Sequence, residues 1–203
     1  MMKIYTDIIQ GTPEWLEARM GIPTASMFAT VCAKPGPRGG IPKGRQTYLW
    51  KLAGEILTGE PMDNYTNRDM ERGHEREAES RDLYAMIRDV EPLEVGFIRN
   101  GDCGGSPDAL VGDDGMFENK NAAPHIQIER LLKGTLPAGH VAQCQGQLMV
   151  AERQWVDFVS YCRGLKPLLV RVERDEAYIA ALRIDVSDFV NELNELVEKL
   201  RAM

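Results

Sequence analysis

Apolar positions recur along this chain at two periods, near 3.6 and near 2, and the switches between them outline its elements. "QGTPEWLEARMG" reads as a short helix: Thr12 caps the first amides, Pro13 suits the first turn and Gly21 follows the end. A second short helix starts near Thr24 in "TASMFATVCA". In "RQTYLWKLAGEILTGE", Tyr48, Leu49, Leu52 and Ile56 fall at helical spacing before Gly59. The next helix is predicted over 68–88. There Met70, Gly73, His74, Glu77, Arg81 and Tyr84 recur at spacings of three and four and share one face, while Glu71, Glu75, Glu79 and Asp82 fall largely elsewhere. From Pro92 the pattern becomes strand-like: "LEVGFI", then "CGGSPDALVG" and "MFENKN", the last two joined by a tight turn at Asp113-Asp114-Gly115. Helices over 124–133 and 138–151, strands in "QWVDFVSYC" and "PLLVRVER", and a helix from Asp175 to the end complete the order. That order predicts an α/β (α+β) layer architecture, a central mixed sheet flanked by helices, as one domain over 1–203.

Composition agrees with one globular domain: 203 residues, 43% hydrophobic and 27% charged, enough to enclose a single core. No apolar run approaches the roughly 20 residues of a membrane span. "MMKIYTDIIQ" lacks the apolar core of a signal peptide. A cytoplasmic protein with no membrane partner is expected. Cys32, Cys103, Cys144 and Cys162 are irregularly spaced with no C-x-x-C pair, which argues against a zinc site or cysteine-ligated cluster and for reduced, buried thiols. The formal charge of −7 argues against coating nucleic acid through bulk electrostatics. Charge is nevertheless uneven. No acid occurs from Val31 to Gly54, where Lys34, Arg38, Lys43, Arg45 and Lys51 lie, mostly in the Pro/Gly-rich loop "AKPGPRGGIPKGR". Such a loop suits a phosphate grip and equally suits plain solvation.

"SPDALVGDDGMFENKN" holds the chemistry. Asp108 and Glu118 stand near the ends of neighbouring predicted strands, and Glu118 and Lys120, two apart, leave one face. Two carboxylates beside an ammonium suit a hard divalent cation such as Mg²⁺, with the lysine placed to orient or deprotonate a water or to stabilise phosphoryl oxygens. Charged residues flanking a surface hairpin give the same spacing, so both readings stand on this stretch alone. Asp113 and Asp114 are turn formers. Glu77 sits on a stripe with aromatic and small residues, where a carboxylate is costly unless it pairs or binds metal; Arg81, one turn on, is a candidate partner.

Pro107-Asp108 with Glu118-Asn119-Lys120 resembles the second and third motifs of the PD-(D/E)xK nuclease superfamily. "WLEARMGIPTAS", "RGHEREAESRDLY", "HVAQCQGQLMV" and "VRVERDEAYI" resemble, in the same order, blocks of the phage lambda exonuclease or YqaJ-type viral recombinase family, so the likeness spans about residues 10 to 190. It implies a PD-(D/E)xK, restriction-endonuclease-like core and a Mg²⁺-dependent 5′-to-3′ exonuclease on linear double-stranded DNA. Such an enzyme leaves a 3′ single strand for a single-strand annealing protein and assembles as a homotrimeric ring around DNA ends. By motif position, Asp108 and Glu118 become ligands to two Mg²⁺ (Mn²⁺ an alternative), with the Asn119 main-chain carbonyl. Lys120 becomes the catalytic lysine and Glu77 the helix glutamate beside the metals. Arg19, Ser26, Ser106 and Gln143 match positions that hold the 5′-terminal phosphate, with Gln145, Gln147 and His140 as alternatives. Lys34, Arg38, Lys43 and Arg45 are the candidate DNA grip. A phage or prophage origin follows, with the bacterial cytoplasm as the working compartment.

Three departures from the family pattern stand out. Asn119 replaces an apolar residue, which predicts a strand less buried on that side; Ala109 replaces a common glycine; His140 replaces a common tyrosine. Two other function classes compete: a PD-(D/E)xK endonuclease or junction-resolving enzyme, which would cut closed circles, and a non-catalytic DNA-end-binding recombination module. The intact acid–acid–lysine set weighs against the latter.

Overall fold

The helices begin and end where the sequence supplies the means. Thr12 Oγ1 accepts from the Trp15 amide (3.4 Å) and starts α1 (Pro13–Arg19). A 3₁₀ turn at Ala25–Met27 runs into α2 (Phe28–Val31), and α3 (Lys43–Thr58) stops at Gly59, which takes the left-handed φ of 70°. α4 is Arg68–Arg88, α5 Pro124–Lys133, α6 Val141–Ala151 and α7 Glu176–Arg201, the last capped by Asp175 accepting from the Tyr178 amide. The computed structural model describes residues 1–37, 39–62 and 68–203, without the side chains of 68–75. Arg38 and the predicted face positions Met70, Gly73 and His74 therefore lie outside the described residues.

The strands form two sheets rather than one. β2 (Leu93–Glu94), β5 (Ala109–Val111), β6 (Gly115–Asn121), β7 (Trp155–Tyr161) and β8 (Leu168–Glu173) make a five-stranded mixed sheet in the order β2-β5-β6-β7-β8. Only β6 and β7 run parallel, as their long crossover through α5 and α6 requires. β1 (Met2–Tyr5), β3 (Phe97–Asn100) and β4 (Cys103–Gly105) make a separate antiparallel sheet. The stretch "CGGSPDALVG", expected as one strand, is thus split. The chain changes sheets at Ser106-Pro107-Asp108, where Pro107 has no N–H to give a ladder.

α6 lies buried along nearly its whole length, touching both sheets and α7. Its glycine makes this possible, because a Cβ on Gly146 would stand 2.4 Å from the Phe28 ring. The main core gathers Phe28, Leu52, Ile98, Met116, Leu148, Phe158 and Phe189 on this side of the five-stranded sheet. Tyr84 of α4 packs with Ala109, Val111, Phe117 and Val159 on the other side.

That second layer is tied by one buried acid. Asp157 on β7 is 0% exposed and accepts from both Arg171 nitrogens (2.8 Å each) and from the Tyr84 hydroxyl (2.8 Å), with Arg88 Nε at 3.4 Å. Burial pushes its pKa up, but the two arginines and the tyrosine outweigh that and hold it below the ordinary value of 3.8. A lowered carboxylate pKa contributes stability that is present above 3.8 and is lost as pH falls through the folded-state value. Asp157→Ala should therefore destabilise the protein at pH 7 by about 2–3 kcal/mol, less than a fully buried pair because both guanidiniums reach solvent. Urea unfolding of both proteins should show this gap closing as pH drops below 3.8; a gap independent of pH would contradict it.

Candidate active site

The sheet change at Ser106–Asp108 brings the predicted acids together. Asp108 sits just before β5, and its Oδ2 accepts from the Asn119 amide on β6 (2.5 Å). A strand residue's N–H and C=O leave on the same edge, so the Asn119 carbonyl also faces the Asp108 side. Glu118, one residue earlier, projects to the α6 face and is 1% exposed. Its Oε1 accepts from Lys120 Nζ and from Gln143 Nε2 (2.6 Å), and its Oε2 from Gln147 Nε2 (2.6 Å). Gln143 and Gln147 are one helical turn apart, so α6 presents both amides to one carboxylate. Gln145 faces away: its amide donates to the Glu173 carbonyl (2.8 Å) and accepts from the Asp175 amide (3.0 Å), fastening α7.

Asp108, Glu118, Lys120, Gln143 and Gln147 line a cleft of about 180 Å³ together with Gln10, Trp15, Arg19, Thr24, Ser26 and Ser106. All four positions matched to a terminal phosphate, Arg19, Ser26, Ser106 and Gln143, lie in it. Arg19 stacks on the Trp15 ring (4.3 Å) and meets Thr24 Oγ1 (3.5 Å), while Trp15 Nε1 donates to Ser106 Oγ (2.8 Å). Gln10, Trp15 and Thr24 were not singled out from the sequence, although Trp15 and Thr24 fall inside the "WLEARMGIPTAS" block. Their contacts span about 80 to 100 residues of chain, as in Gln10 Nε2 to the Pro107 carbonyl (3.2 Å), which local spacing does not reveal.

Glu77 reaches Asp108 from the opposite side. The two line an adjoining cavity of about 120 Å³ with Glu94 and Gly96, so Asp108 stands between it and the main cleft. Arg81 does not pair with Glu77 as envisaged but with Glu94 (2.7 Å). Glu79, expected toward solvent, is half-buried and holds Arg163 and the Tyr161 hydroxyl (3.1 Å).

The departures resolve differently from expectation. Asn119 is 7% exposed, so β6 is buried on that side as well. It shares a face with Phe117 beneath α4, and its side-chain Nδ2 donates to Asn121 Oδ1 (3.3 Å) while its own Oδ1 has no hydrogen-bond partner among the described residues. His140 lies outside the cleft lining, over the Phe158 ring (5.0 Å) and beside Arg130. The basic loop is partly committed elsewhere. Arg45 bonds Glu192 (2.7 Å) and the Val31 carbonyl (3.1 Å), and Lys34 bonds Asp185 (2.5 Å), both acids on α7. Arg45 and Lys34 thus have acid partners within the chain, while Lys43 is exposed. Asp113 and Asp114 are exposed turn residues, as predicted. All four cysteines are free, Cys144 and Cys162 buried and the other two half-buried; burial pushes the Cys144 thiol up to about 12.

Electrostatics mark the cleft floor. Burial first, then the Glu118 and Glu77 carboxylates, hold Asp108 well above the usual carboxylate range. Burial pulls Lys120 down, but Glu118 and Asp108 together outweigh it and raise its pKa. Among the described residues no three His, Cys, Asp or Glu side chains form a ready-made metal cage. Asp108, Glu118 and the Asn119 carbonyl edge nevertheless give hard oxygens only, with an excess of negative charge, and they fit Mg²⁺, which needs one or two carboxylates and takes its other ligands from water and phosphate.

A mixed five-stranded sheet with this acid–acid–lysine cleft on adjoining strands is the core of the PD-(D/E)xK nuclease class. Residues 14–154 match the model of the YqaJ-like viral recombinase domain. An alkaline exonuclease (LHK-Exo) from Laribacter hongkongensis is 35% identical with a TM-score of 0.84, over 94% of this chain and 97% of that one. LHK-Exo in complex with dAMP gives 36% identity and the same TM-score and coverage. A phage related exonuclease from Haemophilus somnus 129PT, at 16% identity, TM-score 0.64, and 88% and 96% coverage, shares the fold. No curated protein sequence matches the chain. The chain belongs to the YqaJ-like viral recombinase domain family.

Crowded carboxylates destabilise a metal-free fold. Asp108→Asn, which keeps an acceptor for the Asn119 amide, should raise the thermal midpoint in chelator at neutral pH. Mg²⁺ at about 100 times its Kd should add about 2.7 kcal/mol to the wild type and little to the variant. A lower midpoint for Asp108→Asn, or equal Mg²⁺ stabilisation of both proteins, would contradict the metal assignment.

Proposed function

We propose that this chain is a Mg²⁺-dependent exonuclease that degrades the 5′-ended strand of linear double-stranded DNA. Family and fold make it a nuclease; the proposal concerns its metal, its polarity and the end it recognises. The observation that carries it is the single cleft that joins Asp108, Glu118 and Lys120 to Arg19, Ser26 and Ser106. A guanidinium backed by hydroxyls suits a terminal phosphate, whose charge and acceptor oxygens exceed those of a phosphodiester. The relative solved with dAMP supports a mononucleotide product.

Asp108, Glu118 and the Asn119 carbonyl would hold the metal, which when bound supplies Lewis-acid neutralisation of phosphoryl charge and a more acidic water. The chain's own groups do the rest. Arg19 and Ser106 hold the terminal phosphate, fixing the scissile bond one nucleotide further over the acids. Lys120, held by Glu118, orients the attacking water and donates to the phosphoryl oxygens. Gln143 and Gln147 hold the Glu118 carboxylate against rotation, so that little reorganisation accompanies reaction. Glu77 keeps Asp108 charged-crowded from the far side and so favours cation binding. The freed 3′ strand would pass to a single-strand annealing protein, and a homotrimeric ring would retain the duplex. Among the described residues no helix is long and apolar enough to cross a membrane.

The test compares linear and closed-circular duplexes, with and without a 5′-phosphate, in Mg²⁺ or chelator. Linear 5′-phosphorylated DNA should be degraded to mononucleotides only with Mg²⁺, and circles should survive. Asp108→Ala, Glu118→Ala and Lys120→Ala should each lower kcat by at least about 10²-fold. Arg19→Ala should reduce the preference for a 5′-phosphate by about 10-fold or more. Cleavage of circles would favour the endonuclease reading, and DNA-end binding without hydrolysis the non-catalytic one.

A further inference from the structure

Several half-buried or exposed arginines of the fold pair with an acid: Arg45 with Glu192, Arg81 with Glu94 and Arg171 with Asp157. Arg130 on α5 does not. Among the described residues its guanidinium meets the Ser160 hydroxyl (2.9 Å) and the His140 ring (3.3 Å) and no carboxylate. It is half-buried, and burial lowers its pKa; the neighbouring Glu129 carboxylate favours the charge but makes its ion pair with Lys133 (2.5 Å) instead.

Its aim is fixed from beneath. Ser160 Oγ donates to Gln127 Oε1 (2.6 Å), which leaves the hydroxyl oxygen as acceptor for Arg130. Gln127, 0% exposed, closes the network by donating to the Ser160 and Lys166 carbonyls (3.0 and 2.8 Å). Two of the five guanidinium donors are so engaged, and the other three make no hydrogen bond among the described residues.

Register places this group relative to the cleft. Lys120 pairs across the sheet with Ser160, and Glu118 with Phe158, over which His140 stacks. Paired residues share a face, so Arg130 and His140 lie over β7 on the same face as Lys120, and neighbouring strands stand about 5 Å apart. Asp108, Ser106 and Arg19 lie on the other flank, toward β5. That step is comparable to the rise of one to two nucleotides, about 3.4 Å each. A strand entering with its end at Arg19 and its scissile bond at Lys120 runs on toward Arg130.

We propose that Arg130, supported by His140, binds a backbone phosphodiester of the DNA immediately beyond the scissile bond. The inference rests on the nuclease reading of the cleft. Such a phosphate gives the half-buried guanidinium the ion pair it lacks among the described residues.

The test measures binding of a 5′-phosphorylated duplex by fluorescence anisotropy in chelator between about 50 and 200 mM salt, for wild type, Arg130→Gln and Arg130→Lys, with wild-type digestion run in parallel. Arg130→Gln should weaken binding about tenfold at the low-salt end and flatten the plot of log affinity against log salt by about 0.9, one phosphate contact. Arg130→Lys, which keeps the charge, should retain the wild-type slope. If Arg130→Gln does not fold, Arg130→Met, which keeps the aliphatic stem, takes its place. Weaker binding with an unchanged slope, or unchanged binding, would overturn the proposal and leave the nuclease reading intact. A wild type that neither binds nor digests DNA would overturn that reading and this one together.

Discussion

Negative charge compressed into a small volume is the constraint around which the rest of this structure is arranged. Glu118 is almost fully buried, Asp108 lies one strand away, and Glu77 approaches Asp108 from behind. Their proximity is unfavourable on its own, as the raised Asp108 pKa records. The protein tolerates it by surrounding Glu118 with three donors, Lys120, Gln143 and Gln147, and by giving Asp108 a main-chain amide. Strain of this kind, retained rather than removed, is characteristic of functional sites and is what the proposed cation and phosphate would relieve.

The scaffold follows from holding those groups still. α6 must lie close enough to the sheet for two glutamines to reach one carboxylate, which accounts for its burial and for Gly146 against Phe28. α4 must be fixed on the opposite face so that Glu77 meets Asp108. The Asp157 network does this two and three turns along the same helix, through Tyr84 and Arg88. The change of sheets at Pro107 then aims Ser106 and Asp108 into the cleft from a segment that belongs to neither ladder.

Much of this was legible in the sequence, and what was not has physical reasons. The helix over 68–88, the hairpin about Asp113-Asp114-Gly115, the Thr12 cap and the start of the last helix near Asp175 rest on local periodicity and turn chemistry, and they appear where predicted. The convergence of Asp108, Glu118 and Lys120 was readable because a hairpin joins them. β1 was missed, since a four-residue strand whose partner lies about ninety residues away carries no local signal. The division into two sheets was missed for the same reason. Asn119 was expected on a more open face because it is polar; packing under α4 buried it, leaving its Oδ1 without a partner among the described residues. Arg45 and Lys34 looked available in a stretch free of acids, but their partners Glu192 and Asp185 come from the far end of the chain.

The central claim is that the acids at 108 and 118 are crowded because a divalent cation completes them. Anomalous diffraction from crystals soaked in Mn²⁺ without DNA tests it most directly. A peak about 2.0–2.2 Å from oxygens of Asp108 and Glu118, near the Asn119 carbonyl, is the predicted result. Density free of any peak there, at Mn²⁺ concentrations that support DNA hydrolysis, would contradict the account.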